Sequence, residues 1–232
     1  MVVTSMRGEG RIRPRPYTPS VAEPADPRGA RTEQHERVGV LGGTFDPPHV
    51  AHLELADAAR EQFDLDRVIF VVAGDPWQKS GQVVAAGAER LAMVEAALAD
   101  RPGFEASAIE IERPGPTYTA ETLEELARPD RELYLIVGAD VAAGLDTWHE
   151  PDRVRGAATI LVADRPGASG SARQVTEELV QAGWRCAVVD LPPRDVSSTD
   201  VRRRLADAEP PGDSLPPPVV RVVEERGLYT RP

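Results

Sequence analysis

The feature that most constrains the fold is a regular alternation between short apolar runs and amphipathic helical patterns. Apolar runs rich in β-branched residues occupy residues 37–42, 67–73, 132–138, 158–163 and 186–191. Near-continuous apolar runs of this length are typical of strands that are buried on both faces. Between them, apolar residues recur at helical spacing, for example at Leu91, Val94 and Leu98. The alternation predicts an α/β fold, a doubly wound parallel sheet with helices on both sides.

The composition disfavours several classes of protein. The chain has 232 residues and a formal net charge of −11, which argues against nonspecific nucleic-acid binding because that requires a basic surface. Its single cysteine, Cys186, cannot form an intrachain disulfide and fits a reducing, cytoplasmic compartment. No apolar run reaches the roughly 18 residues of a membrane span, and the Arg-rich start lacks the apolar stretch of a secretory signal. We therefore expect no nucleic-acid or membrane partner, and the composition leaves open whether the chain forms a homo-oligomer.

Two regions are expected along the chain. Residues 1–36 are rich in proline and arginine and poor in apolar side chains. Such a segment buries too little apolar surface to offset the entropy lost on ordering, so we expect a disordered extension, with a binding arm as the alternative. Residues 37–232 are expected to form one domain. Its C-terminal helical segment, "VVRVVEERG" at 219–227, ends on a glycine that is typical of a helix cap.

A glycine-rich turn, "LGGTFDPPHVAH" at residues 41–52, follows the first apolar run and begins a helical pattern. In a parallel sheet, ligands bind at the carboxyl ends of the strands, and a helix N-terminus attracts phosphate. Gly42 and Gly43 allow a sharp turn and a close approach of a ligand to the backbone. His49 and His52 are three residues apart, so both imidazoles would face the same anion. The alternatives are two solvent-facing histidines or a zinc site, and zinc is disfavoured because no cysteine or third histidine lies nearby.

As a unit, this turn resembles the first signature of the nucleotidylyltransferase superfamily, and its details resemble the nicotinate-nucleotide adenylyltransferase family. The resemblance extends from about residue 38 to the "GLY" at 227–229, and it implies a Rossmann-like sheet of the nucleotidylyltransferase type. It also implies that His49 and His52 are catalytic donors to ATP. Further ATP contacts are implied for Gly42, Gly43, Thr44 and Phe45. The chain departs from the family at Ala51, where glycine is usual and where the added methyl group would crowd the nucleotide slightly.

A second segment, "VSSTDVRRRL" at 196–205, resembles the other superfamily signature, I-S-x-T-x-x-R. The resemblance implies that Ser197, Thr199 and Arg202 bind the β- and γ-phosphates of ATP, with Arg202 in a catalytic role. From spacing alone, Ser197 and Asp200 also predict the start of a helix. The two arginines that follow Arg202 are expected to form a solvated face.

Gly138 ends the 132–138 apolar run and Asp140 follows two residues later, and the same resemblance assigns both to ATP. Gly138 would let adenosine lie against the backbone. Asp140 would accept a hydrogen bond from a ribose hydroxyl or help to place the substrate. An ordinary helix cap is the alternative for this pair.

The resemblance also implies a site for the second substrate, a mononucleotide. It is assigned to loop residues, namely Trp77 and Lys79 of "PWQK", Thr117 and Thr119 of "PTYTAETL", and Trp148 and His149 of "DTWHE". Trp148 would stack on the nicotinate ring, because flat aromatic faces pack well against one another, and the backbone around His149 would hold the carboxylate. The alternatives are a solvated charge for Lys79, a helix cap for Thr117 or Thr119, and a core aromatic for Trp148.

The implied activity is transfer of the adenylyl group of ATP to nicotinate mononucleotide, which gives nicotinate adenine dinucleotide and pyrophosphate. Mg²⁺ is implied with ATP, and no metal-ligating residue is assigned to it. Two other functions stay open: a related transferase that acts on another phosphate such as phosphopantetheine, and a non-catalytic nucleotide-binding sensor. All three functions require the two signature segments to open onto one shared hollow.

Overall fold

The computed structural model describes residues 35–74, 85–164, 170–192 and 194–230. Within them, one sheet contains six strands that pair in parallel in the order β3-β2-β1-β4-β5-β6. The strands are β1 (Glu36–Gly43), β2 (Arg67–Val72), β3 (Phe104–Ser107), β4 (Arg131–Gly138), β5 (Ala158–Ala163) and β6 (Cys186–Val189). The predicted doubly wound parallel sheet is confirmed.

Helices connect the strands and cover both faces of the sheet. They are α1 (Val50–Gln62), α2 (Gly87–Leu98), α3 (Ile109–Glu112), α4 (Thr119–Leu126), α5 (Ala139–Ala142), α6 (Pro151–Ala157), α7 (Ala172–Gln181), α8 (Ser198–Ala206) and α9 (Pro217–Glu225). The predicted glycine cap of the last helix is confirmed. Gly227 adopts a left-handed conformation (φ 60°), and its N–H donates to the Glu224 oxygen at 3.2 Å.

Two apolar clusters fill the space between the sheet and its helices, because successive side chains of a strand point to opposite faces. In β1, Leu41 belongs to one cluster, and Val38 and Val40 belong to the other. The first cluster includes buried residues of α1, α2, α8 and α9, and the second includes buried residues of α4, α5, α6 and α7. Each fully buried aliphatic side chain contributes about 1.5–3 kcal/mol to folding.

The strand order places a ligand crevice at the centre of the sheet. β1 pairs with β2 on one side and with β4 on the other, so the direction in which strands are added reverses at β1 and β4. In doubly wound sheets, ligands bind outside the carboxyl ends of the strands at this reversal. Gly43 and Gly138 end the two central strands there.

Some elements were not anticipated from the sequence. β3 contains only four residues at the edge of the sheet, and none of them is fully buried, so it lacks the apolar run that identified the other strands. α3, α5 and α6 contain four to seven residues, too few for a helical period to be visible in the sequence. The strand formed by the last apolar run, β6, ends at Val189, two residues before the predicted end. Among the described residues, no helix combines the length and apolar character needed to cross a membrane.

Candidate active site

A pocket of about 290 Å³ opens at the carboxyl ends of β1, β4 and β5. Its lining combines residues of the first signature, the second signature and the end of β4. Predicted site residues that line it are Gly42, Gly43, Thr44, Phe45, His49, His52, Gly138, Ser197, Thr199 and Arg202. The shared hollow required by the sequence prediction is therefore present.

Phe45 and the two glycines before it shape the turn after β1. Phe45 has a left-handed conformation (φ 49°), and its buried ring packs against His52, with centroids 5.0 Å apart, and against Phe70 at 5.5 Å. A Cβ at Gly43 would lie 2.9 Å from the Phe45 ring, so this position requires glycine. A Cβ at Gly42 would meet no protein atom within 4 Å, although Gly42 lines the pocket. The open space beside Gly42 is therefore not required for the packing of the fold.

His49 and His52 lie together at the start of α1. Their rings are stacked, with centroids 3.7 Å apart and planes inclined by 22°. The backbone N–H of His49 donates to Nδ1 of His52 at 3.1 Å. Because Nδ1 is an acceptor, the proton of the neutral imidazole is on Nε2. His52 is thus held in the tautomer that can donate a hydrogen bond from Nε2 to an anion.

Helix α8 begins at the second signature. Ser197 is its N-cap: the hydroxyl accepts from the Asp200 N–H at 3.1 Å and donates to the Asp200 carboxylate at 2.6 Å. The predicted capping pair is confirmed. The Arg202 side chain is only 18% exposed. Arg203 and Arg204 are 60% and 38% exposed, as expected for a solvated face.

Hydrogen bonds join the two signatures directly. Arg202 Nη1 donates to the backbone oxygen of Asp46 at 2.7 Å, across 156 residues of chain. Ser198 Oγ donates to the backbone oxygen of Pro47 at 3.0 Å. Arg202 Nη2 also lies 3.4 Å from the Thr199 hydroxyl. These bonds fix the helix that carries Arg202 to the turn that carries the histidines.

Asp46 is a site residue that the sequence analysis did not assign. It lines the pocket and is 2% exposed. Its Oδ1 accepts from the Ala85 N–H at 3.1 Å and from the Tyr229 hydroxyl at 2.7 Å. The available signal was its place inside the conspicuous turn, directly before two prolines. Nothing in the local sequence predicts its bond to Tyr229, which lies 183 residues away.

Arg90 of α2 is a second buried charge that was missed. It is 2% exposed and donates to the backbone oxygens of Thr44 at 2.7 Å, Gly74 at 3.1 Å and Ala85 at 3.2 Å. Burial lowers the pKa of Arg90, and the nearby Asp46 carboxylate acts in the opposite direction. By binding backbone that follows both β1 and β2, Arg90 holds the ends of these strands together.

The end of β4 and the end of β5 form the remaining wall. Gly138 lines the pocket, whereas Asp140 is exposed in the first turn of α5 and does not contribute to the lining. Asp164, which follows β5, does line the pocket and was missed. Its Oδ1 accepts from the Ala172 N–H at 2.6 Å, at the start of α7.

The predicted mononucleotide residues that the structure describes do not line this pocket. Trp77 and Lys79 lie outside the described residues. The other four predicted residues do not line the pocket; they are Thr117, Thr119, Trp148 and His149.

The alternative interpretation of Thr117 and Thr119 as helix caps is wrong. The N-cap of α4 is Tyr118, whose side chain makes no capping hydrogen bond, and Thr119 is the first helical residue. Thr117 Oγ1 donates to Glu110 at 3.2 Å instead. The boundary of α4 therefore falls between the two threonines, so that neither occupies the capping position.

Trp148 and His149 follow a short 3-10 turn, Leu145–Thr147. Trp148 is half-buried and packs against the second apolar cluster. The alternative interpretation of Trp148 as a core aromatic is therefore correct for part of its side chain. The His149 side chain is 49% exposed, and its ring lies 4.1 Å from that of Tyr118. The aromatic pair links this segment to the start of α4.

The segment that carries Trp148 is anchored through Asp146. Asp146 Oδ1 accepts from Trp184 Nε1 at 2.9 Å and from Arg155 Nη2 at 3.1 Å. The Arg155 guanidinium also lies 4.7 Å from the centroid of the Trp184 ring. Trp184 itself is 2% exposed, which makes it a rigid support for this carboxylate.

Comparisons with known proteins agree with this geometry. A family model described as cytidylyltransferase-like matches residues 40–204. A probable nicotinate-nucleotide adenylyltransferase from Roseiflexus sp. (strain RS-1) is 44% identical over 83% of this chain and 97% of its own length. The corresponding protein from Saccharopolyspora erythraea is 38% identical over 84% of this chain and 91% of its own.

The fold is also that of a solved structure. Plasmodium falciparum nicotinic acid mononucleotide adenylyltransferase, complexed with NaAD, superposes with a TM-score of 0.65. The match covers 84% of this chain and 98% of the other, at 17% identity.

Proposed function

The chain belongs to the cytidylyltransferase-like family and, within it, to the nicotinate-nucleotide adenylyltransferases, and on that premise we propose how its residues perform the reaction. It transfers the adenylyl group of ATP to nicotinate mononucleotide and releases pyrophosphate. The observation that carries the residue assignment is that one pocket is lined by residues of both signatures. A chain that performs this step of NAD synthesis with one cysteine is proposed to work in the cytoplasm.

Adenylyl transfer requires little covalent help from the protein. The 5′-phosphate of the mononucleotide is already ionised, so it attacks the α-phosphorus of ATP without a strong general base. Catalysis then rests on positioning two anions in line and on stabilising the charge that develops in the transition state. The pocket supplies hydrogen-bond donors for this purpose on two sides.

His49 and His52 are proposed to contact the transferring and leaving phosphates. His52 is suited to this role because its Nδ1 is engaged by the His49 N–H, which leaves the proton on Nε2. A donor that is already oriented gains strength in a pocket from which water is excluded. The stacking of the two rings, 3.7 Å apart, restricts how far either can turn.

The start of α8 is proposed to bind the β- and γ-phosphates. Its N-terminal N–H groups and the helix dipole favour an anion. Thr199 adds a hydroxyl, and Arg202 adds a guanidinium whose fork matches phosphate oxygens. The Ser197 hydroxyl already donates to Asp200, so Ser197 is proposed to act on ATP by capping the helix whose N–H groups face the phosphates. Since Arg202 is bonded to the Asp46 backbone, this helix and the histidine turn act on ATP as one rigid unit.

Mg²⁺ is proposed to enter with ATP rather than to occupy a protein site. Among the described residues there is no group of three or more His, Cys, Asp or Glu side chains that could hold a metal ion. Phosphate oxygens and water satisfy Mg²⁺ with few protein ligands. When bound, the ion neutralises charge on the leaving pyrophosphate.

The mononucleotide is proposed to bind beside the ATP pocket. Its pyridine ring would stack on Trp148, and its carboxylate would accept from the backbone near His149 and from Thr119. Thr117 would join this site only by giving up the bond that its hydroxyl donates to Glu110. Trp77 and Lys79 are proposed to contact its sugar and phosphate, with Lys79 as a compact positive charge.

Gly138 and Asp140 are proposed to contact the adenosine of ATP.

A pyrophosphate-release assay with ATP and Mg²⁺ tests the proposal. Nicotinate mononucleotide, nicotinamide mononucleotide and phosphopantetheine are offered separately. We expect release with the first and much slower release with the amide. Release with phosphopantetheine alone would indicate the related transferase, and ATP binding without release in any arm would indicate a sensor.

A further inference from the structure

The C-terminal end of the described chain packs behind the histidine turn. α9 closes with bonds from the Gly227 N–H to the Glu224 oxygen and from the Leu228 N–H to the Val223 oxygen, at 3.2 and 3.0 Å. Tyr229 follows in a left-handed conformation (φ 64°) and is 8% exposed. Its ring belongs to the first apolar cluster, so the chain end is part of the folded core.

The hydroxyl of Tyr229 bonds to a residue that lines the pocket. It donates to Asp46 Oδ1 at 2.7 Å, and the same oxygen accepts from the Ala85 N–H. Burial and the adjacent Asp46 carboxylate raise the pKa of Tyr229 above its usual value, so the hydroxyl keeps its proton and remains a donor. Tyr229 does not itself contribute to the lining.

Asp46 also contacts Arg202 directly. Its backbone oxygen accepts from Arg202 Nη1 at 2.7 Å, and its Oδ2 lies 3.7 Å from the same nitrogen. Asp46 is thus held on one side by Tyr229 and holds Arg202 on the other. Without the Tyr229 bond, Asp46 Oδ1 would keep its bond from the Ala85 N–H but could rotate about it. Such a rotation would change the 3.7 Å ion pair between Oδ2 and Arg202 Nη1, and with it the position of the guanidinium.

We propose that Tyr229 is a positioning residue for the ATP site: its hydroxyl fixes Asp46 and thereby sets the place of Arg202 against the phosphates of ATP. The inference rests on the proposed function of the pocket. It makes Tyr229, 183 positions from Asp46, a determinant of ATP affinity. Binding of the mononucleotide should be independent of it.

The test replaces Tyr229 with phenylalanine, which removes only the hydroxyl. We expect the dissociation constant of a non-hydrolysable ATP analogue, measured by calorimetry, to rise about tenfold, because a displaced Arg202 would contact the phosphates less well; tenfold corresponds to about 1.4 kcal/mol. KM for ATP should rise in parallel, and KM for nicotinate mononucleotide should change less than twofold. Equal changes in both KM values, or no change in either, would overturn the proposal.

Tyr134→Phe is the matched control. Tyr134 is 4% exposed, and its hydroxyl accepts from Arg37 at 3.0 Å and donates to Glu132 at 3.0 Å, near the amino ends of the strands. This variant loses a comparable buried hydroxyl near the amino ends of the strands, whereas the pocket lies at their carboxyl ends. It should lose comparable stability while binding the ATP analogue as tightly as the wild type.

A double-mutant cycle separates positioning from general loosening. If Tyr229 acts through Arg202, then Tyr229→Phe should weaken analogue binding less than twofold when Arg202 is already lysine. A full tenfold effect in that background would show that the hydroxyl acts by another route, and it would overturn the proposal.

Hydrogen exchange on the wild-type protein provides a further test. By linkage, if the docked chain end strengthens ATP binding, then ATP must strengthen the docking. The ATP analogue should therefore slow amide hydrogen exchange at residues 228 and 229 severalfold, and nicotinate mononucleotide alone should not. Unchanged exchange with the analogue contradicts the proposal. These binding readouts do not depend on turnover, so failure of the proposed function would appear separately, as absence of pyrophosphate release by the wild type.

Discussion

At the scale of single residues, His52 shows how backbone geometry selects a chemical state. The His49 N–H that donates to Nδ1 belongs to the N-cap of α1, so the helix start itself sets the tautomer. The spacing of the two histidines was visible in the sequence. The tautomer was not, because it depends on the rotation of the His52 ring.

His52→Ala removes one oriented donor from the phosphate site. We expect kcat to fall on the order of 10²–10³-fold with the fold retained, as for other lost transition-state donors. Pyrophosphate release under saturating substrates and a thermal melt measure the two quantities. His35→Ala, at the amino end of β1, serves as the control and should keep full activity. A loss below threefold for His52→Ala would contradict the role.

Gly42→Ala tests whether the space at this glycine belongs to the ligand. The new Cβ meets no protein atom within 4 Å but faces the pocket. Stability should therefore change by less than about 0.5 kcal/mol, as for ordinary surface changes. The KM for ATP should rise severalfold, because the methyl group occupies ligand space.

Gly156→Ala is the matched control for Gly42→Ala. Gly156 lies in α6, and its Cβ would also be unobstructed. Since alanine is favoured over glycine in helices, the free energy of unfolding of this variant, measured by urea denaturation, should rise by about 0.5–1 kcal/mol. Its KM for ATP should stay unchanged. An unchanged KM in Gly42→Ala would mean that ATP does not approach this backbone.

Arg90 marks a limit of sequence reasoning at this scale. Three and four residues before Met93 and Val94, it lies on the buried face of α2, and this is the signal that was available. From the sequence alone, an arginine on the apolar face of a predicted helix could equally mean that the buried face of the helix had been assigned wrongly. Only the convergence of three backbone oxygens from Thr44, Gly74 and Ala85 explains why the charge is tolerated there.

At the scale of elements, the strands that were predicted and the strand that was missed differ in apolar content. β1, β2, β4 and β5 lie inside the sheet and contain long apolar runs. β6 lies at an edge, but its four residues are all apolar, so its run was visible as well. β3 is an edge strand whose identity depends on pairing with β2. Such pairing is a tertiary property that no local pattern encodes.

Trp184→Phe tests how one element supports another. The indole N–H holds Asp146, which lies two residues before Trp148, and phenylalanine cannot donate this bond. We expect KM for nicotinate mononucleotide to rise severalfold and KM for ATP to stay within twofold, the opposite of Tyr229→Phe. Steady-state kinetics with each substrate varied in turn gives both values. If both KM values shift equally, Trp184 supports the fold in general rather than the mononucleotide segment.

At the scale of the whole molecule, the convergence of the two signatures was predictable, whereas their direct bonding was not. Parallel strands end at one edge, so the segments after β1 and β6 had to share that edge. The bond from Arg202 to the Asp46 oxygen depends on the path of the turn around Phe45. Likewise, nothing in the sequence indicated that the chain end at Tyr229 would reach the back of the same turn.

Removal of residues 1–34 tests where the functional unit begins. The sheet starts at Glu36, and all residues that line the pocket lie between Leu41 and Arg202. The Roseiflexus relative matches over 97% of its own length with only 83% of this chain. We therefore expect the truncated protein to keep its melting temperature and to turn over within severalfold of the full chain.

A longer truncation, of residues 1–38, provides the contrast. It removes the start of β1 and the Glu36 carboxylate, which pairs with Arg67 at 2.8 Å and Arg131 at 3.0 Å. Because β1 is one of the two central strands, this protein should melt at a clearly lower temperature. A 1–34 truncation that folds normally but has lost turnover would instead place a required group in the removed segment, outside the pocket that both signatures build.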